Sequence, residues 1–334
     1  MQSAGVYDVA MKPLWSAVVL VLVQLAAFAQ PPALPEMHWA DGSSGRPYSK
    51  DPSVIRFGGS YLMYYSLPGP SNGTAGWSVG IAKSKDLVHW ETAGTVKPAQ
   101  ECDKKGLAAP AAWVRGGKVH LFYQTYGNGP KDAICHAWSD DGLNFTRDPG
   151  NPVFAPSGNW TVGRAIDAEV FPVGDRLFLW FATRDPKMEM QMQGVAAAPL
   201  DSDYGRGRWK QLVDGPILKP ELPWEKKCIE AASVTEHGGK LWMFYAGGYN
   251  NEPQQIGAAW STDGIKWTRL SDKPLVPNGP PGSWNSSESG HPGVFRDADG
   301  TTHLFYQGNN DNGKTWFLSK LRIAWKDGAP VVER

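Results

Sequence analysis

The chain has 334 residues, with 33 Lys and Arg against 33 Asp and Glu. That balance gives no reason to expect nucleic acid or an anionic membrane surface as partner. Cys102, Cys135 and Cys228 show no metal-ligand spacing. If one bridge forms, Cys102 and Cys135 are the better pair because they share a repeat, and free thiols account for them equally well. Sixteen Trp are the unusual feature, since such flat apolar rings serve both a core and a surface on which sugar rings stack.

At the N-terminus, Lys12 precedes an apolar run from Ala17 to Phe28, which exits through Ala27-Phe28-Ala29. This is the layout of a secretory signal peptide over 1–30, and the run is shorter than the roughly 20 residues that span a bilayer. A retained N-terminal anchor is the alternative. The expectation is a secreted or periplasmic protein, monomeric and free of the membrane once the signal is removed, with one domain over 31–334. Asn72, Asn144, Asn159 and Asn285 begin Asn-x-Ser/Thr sequons, which matter only in a glycosylating host.

Self-similarity dominates the remainder of the chain. Five segments begin at Asp51-Pro52, Ala109-Pro110, Asp167-Ala168, Glu230-Ala231 and His291-Pro292, spaced by 58, 58, 63 and 61 residues. Each opens a short apolar strand, then a tight turn such as Gly58-Gly59 or Gly238-Gly239, then a second strand: YLMYY, VHLFY, LFLWF, LWMFY and THLFY. The closing aromatics, Tyr65, Tyr123, Phe181, Tyr245 and Tyr306, fall 14, 14, 14, 15 and 15 residues after the starts. A third strand of small residues and a short outer strand complete each unit. Four strands in about sixty residues, repeated five times, predict an all-β five-bladed propeller of four-stranded antiparallel blades. The Ser-x-Asp-Gly turns, as at Ser261 to Gly264, lack one residue of the sialidase Asp-box and read as structural turns.

In a propeller the first strands line the central axis, so residues at equivalent starts converge. Those positions hold Asp51, Ala109, Asp167, Glu230 and His291. Three carboxylates around one funnel suit glycoside hydrolysis, which needs one ionised carboxylate and one protonated carboxyl. Close like charges push pKa values apart and allow that division of labour.

These starts resemble glycoside hydrolase family 43 and its wider five-bladed clan, over essentially all of 31–334. The resemblance rests on Lys50-Asp51-Pro52, Ala108-Ala109-Pro110, Ile166-Asp167-Ala168, Ile229-Glu230-Ala231 and Gly290-His291-Pro292. It implies Asp51 as general base, Asp167 as pKa modulator and Glu230 as general acid. It also implies that no cofactor is required, with His291 at a position that can hold a hydrated calcium ion in the central channel. Ala168 and Ala231-Ala232 replace the family's usual Pro and Gly-Pro, which marks a divergent member or a neighbouring family. Arg184-Asp185-Pro186 is similar to the Arg-Asp-Pro of fructan-cleaving relatives, but comes after a second strand rather than opening a blade.

Further candidates surround the starts. Trp160, Trp224 and Trp284 precede theirs by 7, 6 and 7 residues, and sugar stacking is the functional reading of all three; wedging between loops is the structural one. Arg164, Arg184 and His291 are candidate substrate-binding residues. Glu169, two after Asp167 and so on the same side of its strand, competes with Glu230 as the acid; Glu288 is a more distant competitor. The expected activity is exo-acting, inverting cleavage of an oligo- or polysaccharide. A retaining fructan or sucrose hydrolase is the alternative enzyme, and a non-catalytic carbohydrate-binding propeller the alternative class.

Overall fold

The computed structural model describes residues 1, 2, 4, 5, 34–69 and 76–333. The expected signal peptide and the Asn72 sequon fall outside the described residues, apart from the first few positions of the chain. Pro32–Arg334 forms one unit, and within it the five-bladed propeller read from the repeat is present. Blade one is β1 (Lys50–Phe57), β2 (Ser60–Leu67), β3 (Ser78–Ser84) and β4 (Trp90–Val96). Blade two is β5 (Leu107–Arg115), β6 (Lys118–Thr125), β7 (Ile134–Ser139) and β8 (Thr146–Arg147). Blade three is β9 (Ile166–Val173), β10 (Arg176–Arg184), β11 (Gln191–Pro199) and β12 (Lys210–Gln211). Blade four is β13 (Ile229–His237), β14 (Lys240–Gly247), β15 (Gln255–Ser261) and β16 (Thr268–Arg269). Blade five is β17 (Glu288–Arg296), β18 (Thr302–Asn309), β19 (Phe317–Lys326) and β20 (Ala329–Val332). Each blade is an antiparallel meander in sequence order, and the first strands of neighbouring blades touch around the ring, β17 closing on β1.

The sequence pattern reflects packing. Second strands lie between two neighbouring blades, so both of their faces are covered and they read as unbroken apolar runs; Met63, Tyr64 and Tyr65 are all fully buried. The closing aromatic of each second strand lies opposite a small residue of the third: Tyr65 opposite Gly80, Tyr123 opposite Cys135, Phe181 opposite Gly194, Tyr245 opposite Gly257 and Tyr306 opposite Ser319. A Cβ on Gly80, Gly194 or Gly257 would come within 2.3, 2.4 or 2.5 Å of the facing ring. The Ser-x-Asp-Gly turns tie blades together. Ser261 Oγ accepts from the Gly264 amide at 2.9 Å, and Asp263 Oδ1 accepts from Ile265 and Lys266. The Gly264 carbonyl accepts from Trp180 Nε1 of blade three, and that of Gly142 from the Tyr64 hydroxyl of blade one.

Closure uses both ends of the unit. The residues after Trp325 form the outer strand of blade five, Trp325 facing Pro330. In blades two, three and four the third strand also pairs with the chain running on to the next blade, at Phe154, Leu218 and Val276. In blade five Trp39, upstream of blade one, takes that place: its amide donates to Leu318 and its carbonyl accepts from it, at 3.0 and 2.7 Å.

Candidate active site

Every first strand carries the same bulge near its start. Lys50, Ala108, Ile166, Glu230 and Gly290 are the last paired residues before it, and Ser53, Ala111, Glu169, Ser233 and Gly293 the first after it. The bulged residue has a positive φ: Asp51 at 54°, Ala109 at 46°, Asp167 at 50°, Ala231 at 51° and His291 at 43°. Non-glycine residues seldom adopt this conformation, and where they do the surroundings must hold them there. Here the N–H of the bulged residue donates to a side chain from the preceding blade in three cases: Asp51 to Gln307, Ala109 to Ser66 and Asp167 to Gln124, at 3.0, 2.7 and 2.8 Å.

This register corrects the alignment drawn from the repeat. The blade-four equivalent of Asp51 and Asp167 is Ala231, and Glu230 sits one residue earlier, in the place that Lys50 occupies in blade one. The spacing already held the hint: Ala231 lies 14 residues before Tyr245, as in the first three blades. The extra residue of blade five has a different cause, a longer hairpin turn over 297–301, where the Asp297 amide donates to Thr301.

The out-of-register carboxylate still reaches the common site. His291 Nδ1 lies 2.7 Å from Asp51 Oδ1, without hydrogen-bond alignment, and its Nε2 lies 3.0 Å from Glu230 Oε1. One imidazole therefore bridges the blade-one and blade-four carboxylates. Asp167, Glu230 and His291 each place one atom within 4.8 Å of the others. Glu230 is further fixed by Gln254 Nε2, which donates to Oε1 at 2.7 Å, and by Gln191 Nε2, which donates to Oε2. Gly290 makes room for this: a Cβ there would meet Gln254 Oε1 at 1.8 Å.

The group sits where a pocket of about 400 Å³ meets the channel lumen, itself a cavity of about 290 Å³. Lys50, Trp77, Tyr126, Arg164, Arg184, Gln191, Tyr249 and Trp316 line the pocket. Arg164 and Arg184 thus reach it. Trp160, Trp224 and Trp284 do not line it, and the stacking role expected of them is replaced by the wedging one. Each fills the space over a strand glycine: an added Cβ would lie 2.8 Å from Trp160 at Gly194, 2.8 Å from Trp224 at Gly257 and 2.6 Å from Trp284 at Gly308. Trp224 also stacks on Tyr245, and Trp284 tilts against Tyr306. Their regular spacing from the blade starts is the mark of that repeated wedge. The aromatic residues of the pocket are Tyr48, Trp77, Tyr126, Tyr249 and Trp316; the last four come from the loops between second and third strands, which differ in length from blade to blade, and the pattern of the blade starts does not reach them.

Electrostatics divide the protons. Burial raises the pKa of Asp51, but the His291 and Lys50 cations outweigh it and hold the carboxyl well below the usual range. Burial likewise raises Glu230, and the hydrogen bond and charge of His291, with Gln254 and Lys50, bring it below its ordinary value. His291 is lowered by burial yet ends well above an ordinary histidine because Asp51 and Glu230 flank it. Asp167 is pushed up to about 7 by burial, then by the charges of Glu230 and Asp51; its Oδ2 is buried without a hydrogen-bond partner. The site near neutrality therefore holds ionised Asp51 and Glu230, protonated His291, and an Asp167 ready to keep a proton.

Glu169 and Glu288 lie elsewhere. Glu169 Oε1 accepts from the Val234 amide at 2.7 Å and from Ser233 Oγ at 3.3 Å, down the channel from the pocket. Ser233 Oγ in turn accepts from Val294, as Ser53 Oγ does from Ala112. Glu169 is thus one of a set of inter-blade ties. Glu288 accepts from the amides of Asn251 and Gln254, which hold the loop behind Glu230.

Asp167, Glu230 and His291 are close enough together to hold a cation. Both ring nitrogens of His291 face carboxylates, and Asp167 and Glu230 supply the oxygen atoms of the group, the ligand type that calcium takes.

The structure is thus a five-bladed propeller with an imidazole-bridged carboxylate cluster at the mouth of its channel. The chain belongs to glycosyl hydrolases family 43, whose model matches residues 46–330. Among curated proteins it is 34% identical over 299 residues to the sucrose-6-phosphate hydrolase of Zymomonas mobilis subsp. mobilis, covering 84% of this chain and 53% of that one. It is 28% identical over 180 residues to a 1,2-beta-oligomannan phosphorylase of Thermoanaerobacter sp., covering 53% and 55%. The chain thus spans about half the length of these relatives. Among solved structures, a thermostable family-43 glycoside hydrolase superposes with a TM-score of 0.67 at 20% identity, covering 86% of this chain and 93% of that one.

Proposed function

We propose that this protein is an exo-acting, inverting glycosidase in which Asp51 activates water, Glu230 protonates the leaving oxygen and Asp167 tunes the charge between them. The observation that carries this reading is the His291 bridge. An imidazole threaded between two carboxylates holds them apart on either side of one ring, which supports inversion, where the carboxyls stand ~6.5–9.5 Å apart to leave room for an attacking water. A retaining sucrose-cleaving mechanism, with Asp51 as nucleophile, needs about 5–5.5 Å. The compact pocket with its aromatic rim supports attack at a chain end. Asp51 is held ionised, as a base must be. Glu230 is ionised in the free site, and His291, 3.0 Å away and protonated, is the group that returns a proton to it. The raised pKa of Asp167 favours a second reading, in which Asp167 is itself the acid.

Leaving-group dependence separates these. A low-pKa phenol departs with little protonation, whereas a sugar alkoxide needs it fully. Glu230→Gln should lose on the order of 10²–10⁴-fold on oligosaccharides while largely sparing activated aryl glycosides. Asp51→Asn should fail on both, because water attack is lost in each case. If Asp167→Asn shows the leaving-group dependence and Glu230→Gln does not, Asp167 is the acid. The anomer released in the first turnover, read by NMR, distinguishes inversion from retention.

A further inference from the structure

Two guanidinium groups converge on one amide oxygen at the pocket wall. Arg164 Nη1 and Arg184 Nε both donate to Gln191 Oε1, at 3.2 and 3.1 Å, and the other end of the same amide donates to Glu230 Oε2. Two like charges gathered in this way repel, yet no carboxylate is hydrogen-bonded to either among the described residues. The nearest to Arg164 is Asp132, 3.8 Å from Nε, and Arg184 makes no ion pair within 4.0 Å. Arg164 Nε is buried without a hydrogen-bond partner, and so is the hydroxyl of Tyr249, whose ring carries the Arg184 guanidinium 5.0 Å above it. Unpartnered buried donors are costly, and all three side chains line the pocket. Their shared complement is an anionic oxygen group, which guanidinium planes grip in a fork.

We propose that this wall binds a carboxylate or phosphate carried by the sugar on the leaving-group side of the scissile bond. The assignment of that side rests on Glu230 being the acid, since Gln191 links the arginines directly to it. Negative charge brought there also raises the proton affinity of Glu230, opposing the depression seen in the free site. Two sources share this chemistry, an acidic substituent on the substrate and free phosphate. The first is assigned because the arginines are tied through Gln191 to Glu230, whereas an attacking phosphate would have to sit on the Asp51 side.

Paired aryl glycosides test this: 4-carboxyphenyl against 4-carbamoylphenyl leaving groups on arabinofuranosyl, xylosyl and galactosyl donors. The carboxylate partner should be favoured by on the order of tenfold in kcat/KM, and Arg184→Gln should erase the preference. Because Arg184 also braces Gln191, the neutral partner measures that structural loss and the ratio reads the anion. Equal turnover of the two by the wild-type protein overturns the inference and leaves the glycosidase reading standing. No turnover of any donor removes the glycosidase reading instead, and thermal shifts then decide the anion site. Galacturonate should raise the Tm where galactose does not, with the difference lost in Arg184→Gln; equal shifts overturn the site. Inorganic phosphate should inhibit, whereas release of a glycosyl phosphate would show that free phosphate is the anion held.

Discussion

Replacing Glu169 by Gln removes a charge that the fold carries at a cost. Its carboxyl is enclosed between blades three and four, although the residue borders the channel, and burial pushes its pKa to about 8 from 4.5. In the unfolded chain the same group titrates near 4.5. The folded state therefore holds a proton that the unfolded state has lost, and the stability tied to this group is full below about pH 4.5 and drains away as pH rises to about 8. At 1.36 kcal/mol per unit the full shift corresponds to about 5 kcal/mol, of which about 2 should survive screening by channel water. Gln keeps the acceptor for Val234 and Ser233 and never ionises. Wild type and Glu169→Gln should match at pH 4.5 and diverge as pH rises, the variant standing roughly 3 °C higher in Tm at pH 8.5 for about 300 residues. Calorimetry across that range reads it directly. Parallel curves, or a variant that weakens as pH rises, would refute the burial argument. Loss of oligosaccharide turnover with aryl glycosides spared would show that Glu169, and not Glu230, is the acid.

The same geometry sets other outcomes. Asp167→Asn replaces a carboxyl that titrates near pH 7 by a group that never ionises, so an inflection near pH 7 in the kcat/KM profile should disappear in the variant; its persistence would show that another group titrates there. Trp224→Ala should lower the urea unfolding free energy by about 2–4 kcal/mol with KM unchanged, whereas Trp77→Ala should raise KM several-fold with little loss of stability. Chelation with EDTA should leave turnover unchanged, because each proposed step is carried by a side chain; a loss of turnover or Tm that calcium restores would show a required cation at Asp167, Glu230 and His291.

The fold was legible because repetition is a one-dimensional signal. Covered second strands produce apolar runs, their terminal aromatics demand small partners on the third strand, and turn chemistry recurs at fixed offsets. The convergence of Asp51, Asp167 and His291 came with it, since equivalent bulges face one axis. Glu230 was found by an alignment one residue out of register, and it still belongs to the site because its side chain reaches the same cluster from the adjoining strand position.

The amino-acid sequence by itself determined the number of blades, their strand order and the acidic character of the channel mouth, because each depends on neighbours within one repeat. Tertiary structure alone decided which groups meet across repeats. Gln191 and Gln254 clamp Glu230 from blade three and from the loop before β15. Trp77, Tyr249 and Trp316 arrive from the loops between second and third strands of blades one, four and five, while the evenly spaced tryptophans turn inward as wedges. The loops between second and third strands vary in length and are set by what they pack against rather than by local pattern, and so the contents of the pocket emerge only when the ring closes.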